Sequence, residues 1–527
     1  MAQSYKDYGD YTQAEKFFNK ALSYDPKFVA ALHLRSLAHY SVGAHQAALK
    51  DLKSVLKINP QHGECRHMYA VTLHSIGQFR KATRHYVLAY KESKKKNYLA
   101  WYQLQVALWV HHHLDTPWCE FNIDRTLDPY FKEGWCKRLA PDSLTSYPEQ
   151  APLSAQIADV SPDQMSATAR SLLATAQPYG ELLQLRCRGY LPNRRQHRMA
   201  GLAILEMAQA LRLCWRQTPV GASDRVPPTP LRVPDQRASL TAEAHPFGWR
   251  DLFDIAVRWR QISEPNDPVW WVDLLSPEQF REGFGSHTPM ITGQSRVVRY
   301  YPMFERSFAL MKRLIPAQLG LADDLLDSVR SSKSCADLYE VVGQDFWVVT
   351  PCASTQLPGK TLEGTRLTLQ YSPPDGFEYS IRTPGTPDRW KDYARELDHA
   401  WDILCREARA PPKSGASTRP RCVEHVLTLA FYWYNFMPLS RGTAACGLIS
   451  IVAMLLALDL ELSDNLPEEI QPDWDAILEA SPERYVEKCQ SWLQSRLQPA
   501  TLDLDSLPAL SDVFPNYRKM MEVLNCK

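Results

Sequence analysis

The chain has almost no surplus of charge: across 527 residues, 60 basic groups face 59 acidic ones and leave a net +1. Such a balance supplies no global field for nucleic acid or an anionic membrane, so neither is an expected partner. Disulfide and zinc spacings are missing too. Twelve cysteines run from Cys65 to Cys526 without a C-x-x-C pair, so the spacing nominates no metal and no cofactor. No asparagine is followed two positions later by serine or threonine, and the opening residues MAQSYKDYGDY lack the basic and apolar regions of a secretory signal. These absences predict buried free thiols in the cytoplasm. A longer form with its own targeting segment would instead place the chain in an endomembrane or nuclear compartment. Glycine is sparse, 22 against 38 prolines, which predicts stiff, turn-rich connections, while 45% hydrophobic content suffices for a packed core. The length predicts two or three domains.

What the chain does have is an internal repeat. Gly9, Gly43 and Gly77 stand 34 residues apart, as do Ala14, Ala48 and Ala82, and Pro26 and Pro60 keep the interval. The alanines let two antiparallel helices approach, the glycines turn between them, and the prolines follow the second helix of each pair. This period and these residue types resemble the tetratricopeptide-repeat family. The opening repeat lacks the start of its first helix, and Lys94 replaces the third proline, so Met1 is expected to begin a short form whose upstream repeats are missing.

Repeats of this class line a groove with first-helix side chains. In register those are His33, Leu37, Tyr40, Glu64, His67, Val71 and His74, and the resemblance implies a protein segment as the occupant. His67 and His74 lie two helical turns apart, about 10 Å, too far to share one ion. Residues 97–114 continue helically and cap the repeats. His111, His112 and His113 point in three directions on that helix and cannot chelate together.

Residues 1–140 therefore read as repeats plus a capping helix, and 141–217 as a helical connector. Six prolines mark 218–246 as a linker, and 247–527 reads as a helical C-terminal domain. Trp249, Trp259, Trp270 and Trp271, with Arg250, Arg258 and Arg260 among them, predict core packing bridged to Asp251, Asp254 and Glu264 rather than base stacking. A strand is expected at 346–350. Two alternating stretches joined at Pro-Pro-Asp-Gly predict a hairpin at 365–383, open to strand addition by a partner.

The stretch from Val426 to Leu458 carries one formal charge, Arg441, at a Pro-Leu-Ser-Arg-Gly turn between two apolar arms. Helices apolar all round are core helices or membrane spans; the second arm is 17 residues, short of the roughly 18–20 of a span, and the core reading follows.

Hairpin, proline-led helix and VEHVLTLAFYWYNFMPLSRGTAACGLISI, in that order, resemble a Fic domain over about 366–497. Pro438, Leu439 and Gly442 fall on the family's proline, phenylalanine and first glycine. The resemblance implies a degenerate domain. Met437 replaces the catalytic histidine, Arg441 the metal-binding acid, and Thr443, Ala444 and Ala445 the Asn-Gly-Arg anion loop, leaving Arg441 and Gly442 as a vestigial anion site. Over its whole length the chain also resembles a family of repeat proteins with animal and plant members. That implies a non-catalytic adaptor with protein partners, its plant members restraining immune signalling. The alternative is a divergent nucleotide-dependent transferase.

The expected fold is thus mainly α: a repeat solenoid, then a helical C-terminal domain with a small β-hairpin, Fic-like in degenerate form.

Overall fold

A computed structural model describes residues 11–94, 97–112, 114, 157, 161–184, 193–216, 247–265, 269, 271–272, 287–293, 295–297, 300–373, 376–383, 387–410, 420–468 and 470–526. The linker expected at 218–246 lies outside them.

The repeats are α1 (Tyr11–Tyr24), α2 (Val29–Ser41), α3 (His45–Ile58), α4 (Gly63–Ser75) and α5 (Phe79–Glu92), followed by α6 (Tyr98–His112). Gly43 and Gly77 take φ of 76° and 78° and turn α2 into α3 and α4 into α5, the left-handed conformation that glycine adopts without a Cβ penalty. Ala14, Ala48 and Ala82 are fully buried at the helix crossings.

Next come α7 (Ala167–Leu182) and α8 (Arg194–Arg216), which cross backbone to backbone. A Cβ on Gly180 would lie 1.8 Å from the His197 carbonyl, and one on Gly201 2.0 Å from that of Ala176. α9 (Trp249–Ser263) packs on α8. Its tryptophans belong to the core: Trp249 Nε1 donates to Asp398 (2.7 Å) and Trp259 Nε1 to Glu206 (2.7 Å), while Arg258 pairs with Glu206 and Asp254.

Strands β1 (His287–Thr292) and β2 (Ser295–Arg296) precede α10 (Phe304–Leu319), α11 (Leu326–Ser331) and α12 (Cys335–Val342). The chain then returns as β3 (Phe346–Ala353), β4 (Thr361–Ser372) and β5 (Gly376–Arg382). The expected hairpin exists as β4 and β5, paired in register from Arg366 with Arg382 to Ser372 with Gly376. Its openness to strand addition does not. The antiparallel sheet runs β2-β1-β5-β4-β3, so both hairpin strands are interior. The outer edge of β3 is occupied as well: Gln318 bonds both the Val349 amide and its carbonyl, and the Ala353 amide donates to Ala480. These contacts interrupt the outer ladder of β3, and the two hairpin strands themselves have no free edge.

Helix α13 (Pro387–Arg409) leads into α14 (Pro420–Phe436) and α15 (Thr443–Ala457), the two apolar arms. Both are core helices, as the sequence predicts. α15 packs on α8 and α9, and α14 on α13 and on α16 (Pro472–Leu478) and α17 (Pro482–Leu493). No helix among the described residues is long and apolar enough to cross a membrane. The chain ends through α18 (Leu510–Val513) and α19 (Tyr517–Asn525), with a two-stranded ribbon of β6 (Leu460–Leu462) and β7 (Leu497–Pro499) between α15 and the tail. One apolar core runs without a break from Ala14 in the repeats to Leu524 in α19, and a second, around Met290, Leu367, Tyr379 and Trp474, lies against the five-stranded sheet.

Candidate functional site

The first helices of two successive repeats, α2 and α4, stand beside the start of α6 and leave a cavity of about 480 Å³ between them. His33, Leu37, Glu64 and His67 line it, with Met68 at its floor and Asn97 on the far wall. Four of the seven side chains expected in the groove are therefore there. Tyr40, Val71 and His74 are not: all three are buried, Val71 completely. They lie on the expected helix face but too far along it. The last turns of α2 and α4 are closed off by neighbouring helices, where the Tyr40 hydroxyl meets Ser75 Oγ at 3.0 Å and His74 Nδ1 meets the Tyr86 hydroxyl at 3.2 Å. The groove is open from His33 to Leu37 on α2 and along the first two turns of α4.

Its polar groups are ordered from below. His67 sits between Asn97 Nδ2, 3.4 Å from Nδ1, and Gln103 Oε1, 2.7 Å from Nε2. An amide donor on Nδ1 leaves the proton on Nε2, so the ring is the neutral tautomer, and burial keeps its pKa below the ordinary value. Gln103 in turn donates to the Pro265 carbonyl (3.1 Å), tying the groove floor to the segment that follows α9. Glu92, on the rim, pairs with Arg66 at 2.8 Å, whereas Glu64 is exposed. Deeper in, His45 and His74 are both pushed down to about 3 by burial, His45 also by the Arg195 charge.

One grouping escaped the sequence reading, which nominated no metal. His33, His62 and Cys65 bring their ligand atoms within 4.8 Å of one another at the groove's edge. The available signal was the H-x-x-C spacing of His62 and Cys65 at the start of α4, with His33 29 residues upstream, close to one repeat period. A local spacing search misses it because the third group arrives through stacking of repeats.

At the α14–α15 turn the arrangement is different. Met437 leaves α14 in the left-handed region at φ 50°, Pro438 stops the helix, and the Pro438 carbonyl accepts from the Val272 amide at 2.8 Å. Arg389 closes the helix end from α13: its Nη1 donates to the Phe436 carbonyl at 2.6 Å, a second nitrogen to Asn435, and Nε to Glu363 at 2.9 Å. Met437 is buried in the second core, and a thioether there has no proton to exchange. Arg441 is exposed, and with Gly442, Thr443, Arg260, Asp473 and Trp474 it lines a cavity of about 110 Å³.

Helix pairs at a 34-residue period, glycine turns between them and a groove along their first helices make this a tetratricopeptide-repeat protein. Residues 7–87 match the family described as "Anaphase-promoting complex, cyclosome, subunit 3". The chain is homologous to "Suppressor of RPS4-RLD 1" of Arabidopsis thaliana, 37% identical over 453 residues, which is 76% of this chain and 42% of that protein. It is likewise homologous to "Tetratricopeptide repeat protein 13" of Homo sapiens, 30% identical over 477 residues, 88% of this chain and 50% of that one. The likeness thus reaches well beyond the repeats into the C-terminal body, and the chain spans half or less of the length of these relatives.

Proposed function

We propose that the protein is a non-catalytic adaptor whose repeat groove holds an extended segment of a partner protein. The observation that carries this is the open cleft over His33 to Leu37 of α2 and the first two turns of α4. It pairs an apolar floor, Leu37 and Met68, with an exposed carboxylate, Glu64, and a fixed neutral imidazole, His67. Such a surface suits an apolar anchor side chain flanked by a basic group or by backbone polar groups. Homology to a protein named for its tetratricopeptide repeats, units that stack into an extended binding surface, supports action through binding. The nine described cysteines, all free, support a reducing compartment, the cytoplasm.

Peptide display against the full chain tests the groove, with Leu37→Arg/Glu64→Lys as the counter-target. Glu64 is exposed but Leu37 packs partly against the core, so the variant's unfolding temperature is measured alongside, and the folded variant should lose the selected peptides. Equal enrichment on both proteins would remove the groove as the binding site.

A second reading attaches to the α14–α15 turn. Thr443 Oγ1 and Trp474 Nε1 are buried without a hydrogen-bond partner among the described residues, both line the small cavity, and the free amides of the α15 N-terminus open beside Arg441. These donors favour an anion, which Asp473 on the same wall opposes. A volume of about 110 Å³ is far below the roughly 300 Å³ at which small-molecule sites begin, so a single phosphate or carboxylate fits better than a nucleotide. Thermal unfolding with inorganic phosphate and with Mg-ATP separates the cases. Stabilisation by phosphate, absent in Arg441→Ala, supports the anion site; stabilisation by Mg-ATP alone would favour a transferase.

A further inference from the structure

We propose that His33, His62 and Cys65 form a transition-metal site, suited to zinc, that staples the second repeat to the third. The argument begins with local chemistry. His62 is the N-cap of α4 and Cys65 its third residue, the two positions whose side chains converge over the first turn of a helix. His62 Nδ1 accepts from the Cys65 amide at 3.3 Å, a long bond. That contact turns the Nδ1 lone pair toward the turn that carries the thiol. His33 comes from α2, one repeat earlier, and meets the His62 ring edge-on, with centroids 5.4 Å apart and planes at 68°.

Tetrahedral zinc with bonds of roughly 2.0–2.3 Å places its ligand atoms roughly 3.3–3.8 Å apart. The three atoms now lie within 4.8 Å, so closing on an ion asks each to move by about 1 Å, a side-chain adjustment. Two imidazoles and a thiolate are a donor set that selects zinc, or copper, over magnesium and calcium. On binding, the metal replaces the proton on Cys65 Sγ, which leaves to solvent, and Nδ1 exchanges its weak amide contact for the metal. A water or a donor group of another molecule completes the tetrahedron at the fourth position. A repeat array is held together only by contacts between neighbours, so a bond between α2 and α4 stiffens the groove they line. His33 belongs to both the groove and the metal site, but the two tests separate them, because the groove test changes only Leu37 and Glu64 and neither is a ligand.

The test uses the full chain stripped with a chelator and titrated with Co²⁺, whose thiolate charge-transfer absorption reports a cysteine ligand. One equivalent should produce the band, Zn²⁺ should abolish it, and Zn²⁺ should raise the unfolding temperature. Cys65→Ser should remove the band. Because Cys65 is buried, His62→Asn serves as the second variant: asparagine keeps the N-cap while removing the ligand. It should weaken binding at least tenfold and cancel the zinc-induced shift, with the metal-free unfolding temperature unchanged. No thiolate band, a band that survives Cys65→Ser, or undiminished affinity in His62→Asn would overturn the assignment.

Discussion

Histidine burial sets the clearest behaviour of single residues. His45 and His74 sit inside the repeats with folded pKa values near 3, while an unfolded imidazole titrates near 6.5. The unfolded chain therefore takes up protons first as pH falls. Stability is complete above pH 6.5 and declines toward pH 3, by about 1.4 kcal/mol per pH unit for each histidine. Between pH 7 and pH 5 the repeats should lose roughly 2 kcal/mol for each of these two histidines, measured by urea unfolding, and His74→Phe should remove one such share. The positions of these side chains were only partly legible. Helical register put His33, Leu37, Glu64 and His67 on the groove face, and it put Tyr40, Val71 and His74 there as well. Periodicity gives the angle around a helix, not how far along its axis a neighbour closes over it.

At the level of elements, the turn between the apolar arms is held from outside. The last carbonyls of α14, at Asn435 and Phe436, accept from Arg389 on α13, and the same guanidinium reaches Glu363 on β4 and stacks 4.6 Å from the Tyr393 ring. Arg389→Met keeps the stem and strands the buried Asn435 and Phe436 carbonyls, while that of Glu363 keeps the Tyr393 hydroxyl, which should cost about 3 kcal/mol in denaturant unfolding without changing peptide binding in the groove. The helices and the hairpin themselves could be read from the sequence, since apolar runs, proline starts and period-two alternation are local signals. Sheet order could not. β3 flanks the hairpin from just ahead of it, but β1 pairs with β5 from a stretch far upstream, and together they turn an expected open edge into an interior one.

Over the whole molecule, Arg195 on α8 links the parts. Fully buried, it donates to the Ser75 carbonyl at the end of α4 (2.8 Å), to Ser263 at the end of α9 (3.2 Å), and to Asn525 in the last helix. Asn525 passes the connection back to the repeats through the Ile76 carbonyl at 3.1 Å. Burial draws the pKa of Arg195 down to about 10, which still leaves it charged at neutral pH. Arg195→Met should lower stability by about 3 kcal/mol or more and raise amide exchange in α4 and α19 together. Exchange confined to one of the two helices would mean that the repeats and the C-terminal body are not coupled through this residue.

By itself the sequence determined the repeat, its glycine turns, and the apolar pair of helices with a turn between them. Each of these rests on residue types at fixed short spacings, where backbone geometry leaves few choices. Only the tertiary structure decided that the groove stops short of Tyr40 and His74, that no strand edge is free at the hairpin, and that His33 meets His62 and Cys65. Those facts depend on which distant elements stack, and stacking is set by summed burial across the whole core rather than by any one stretch of chain.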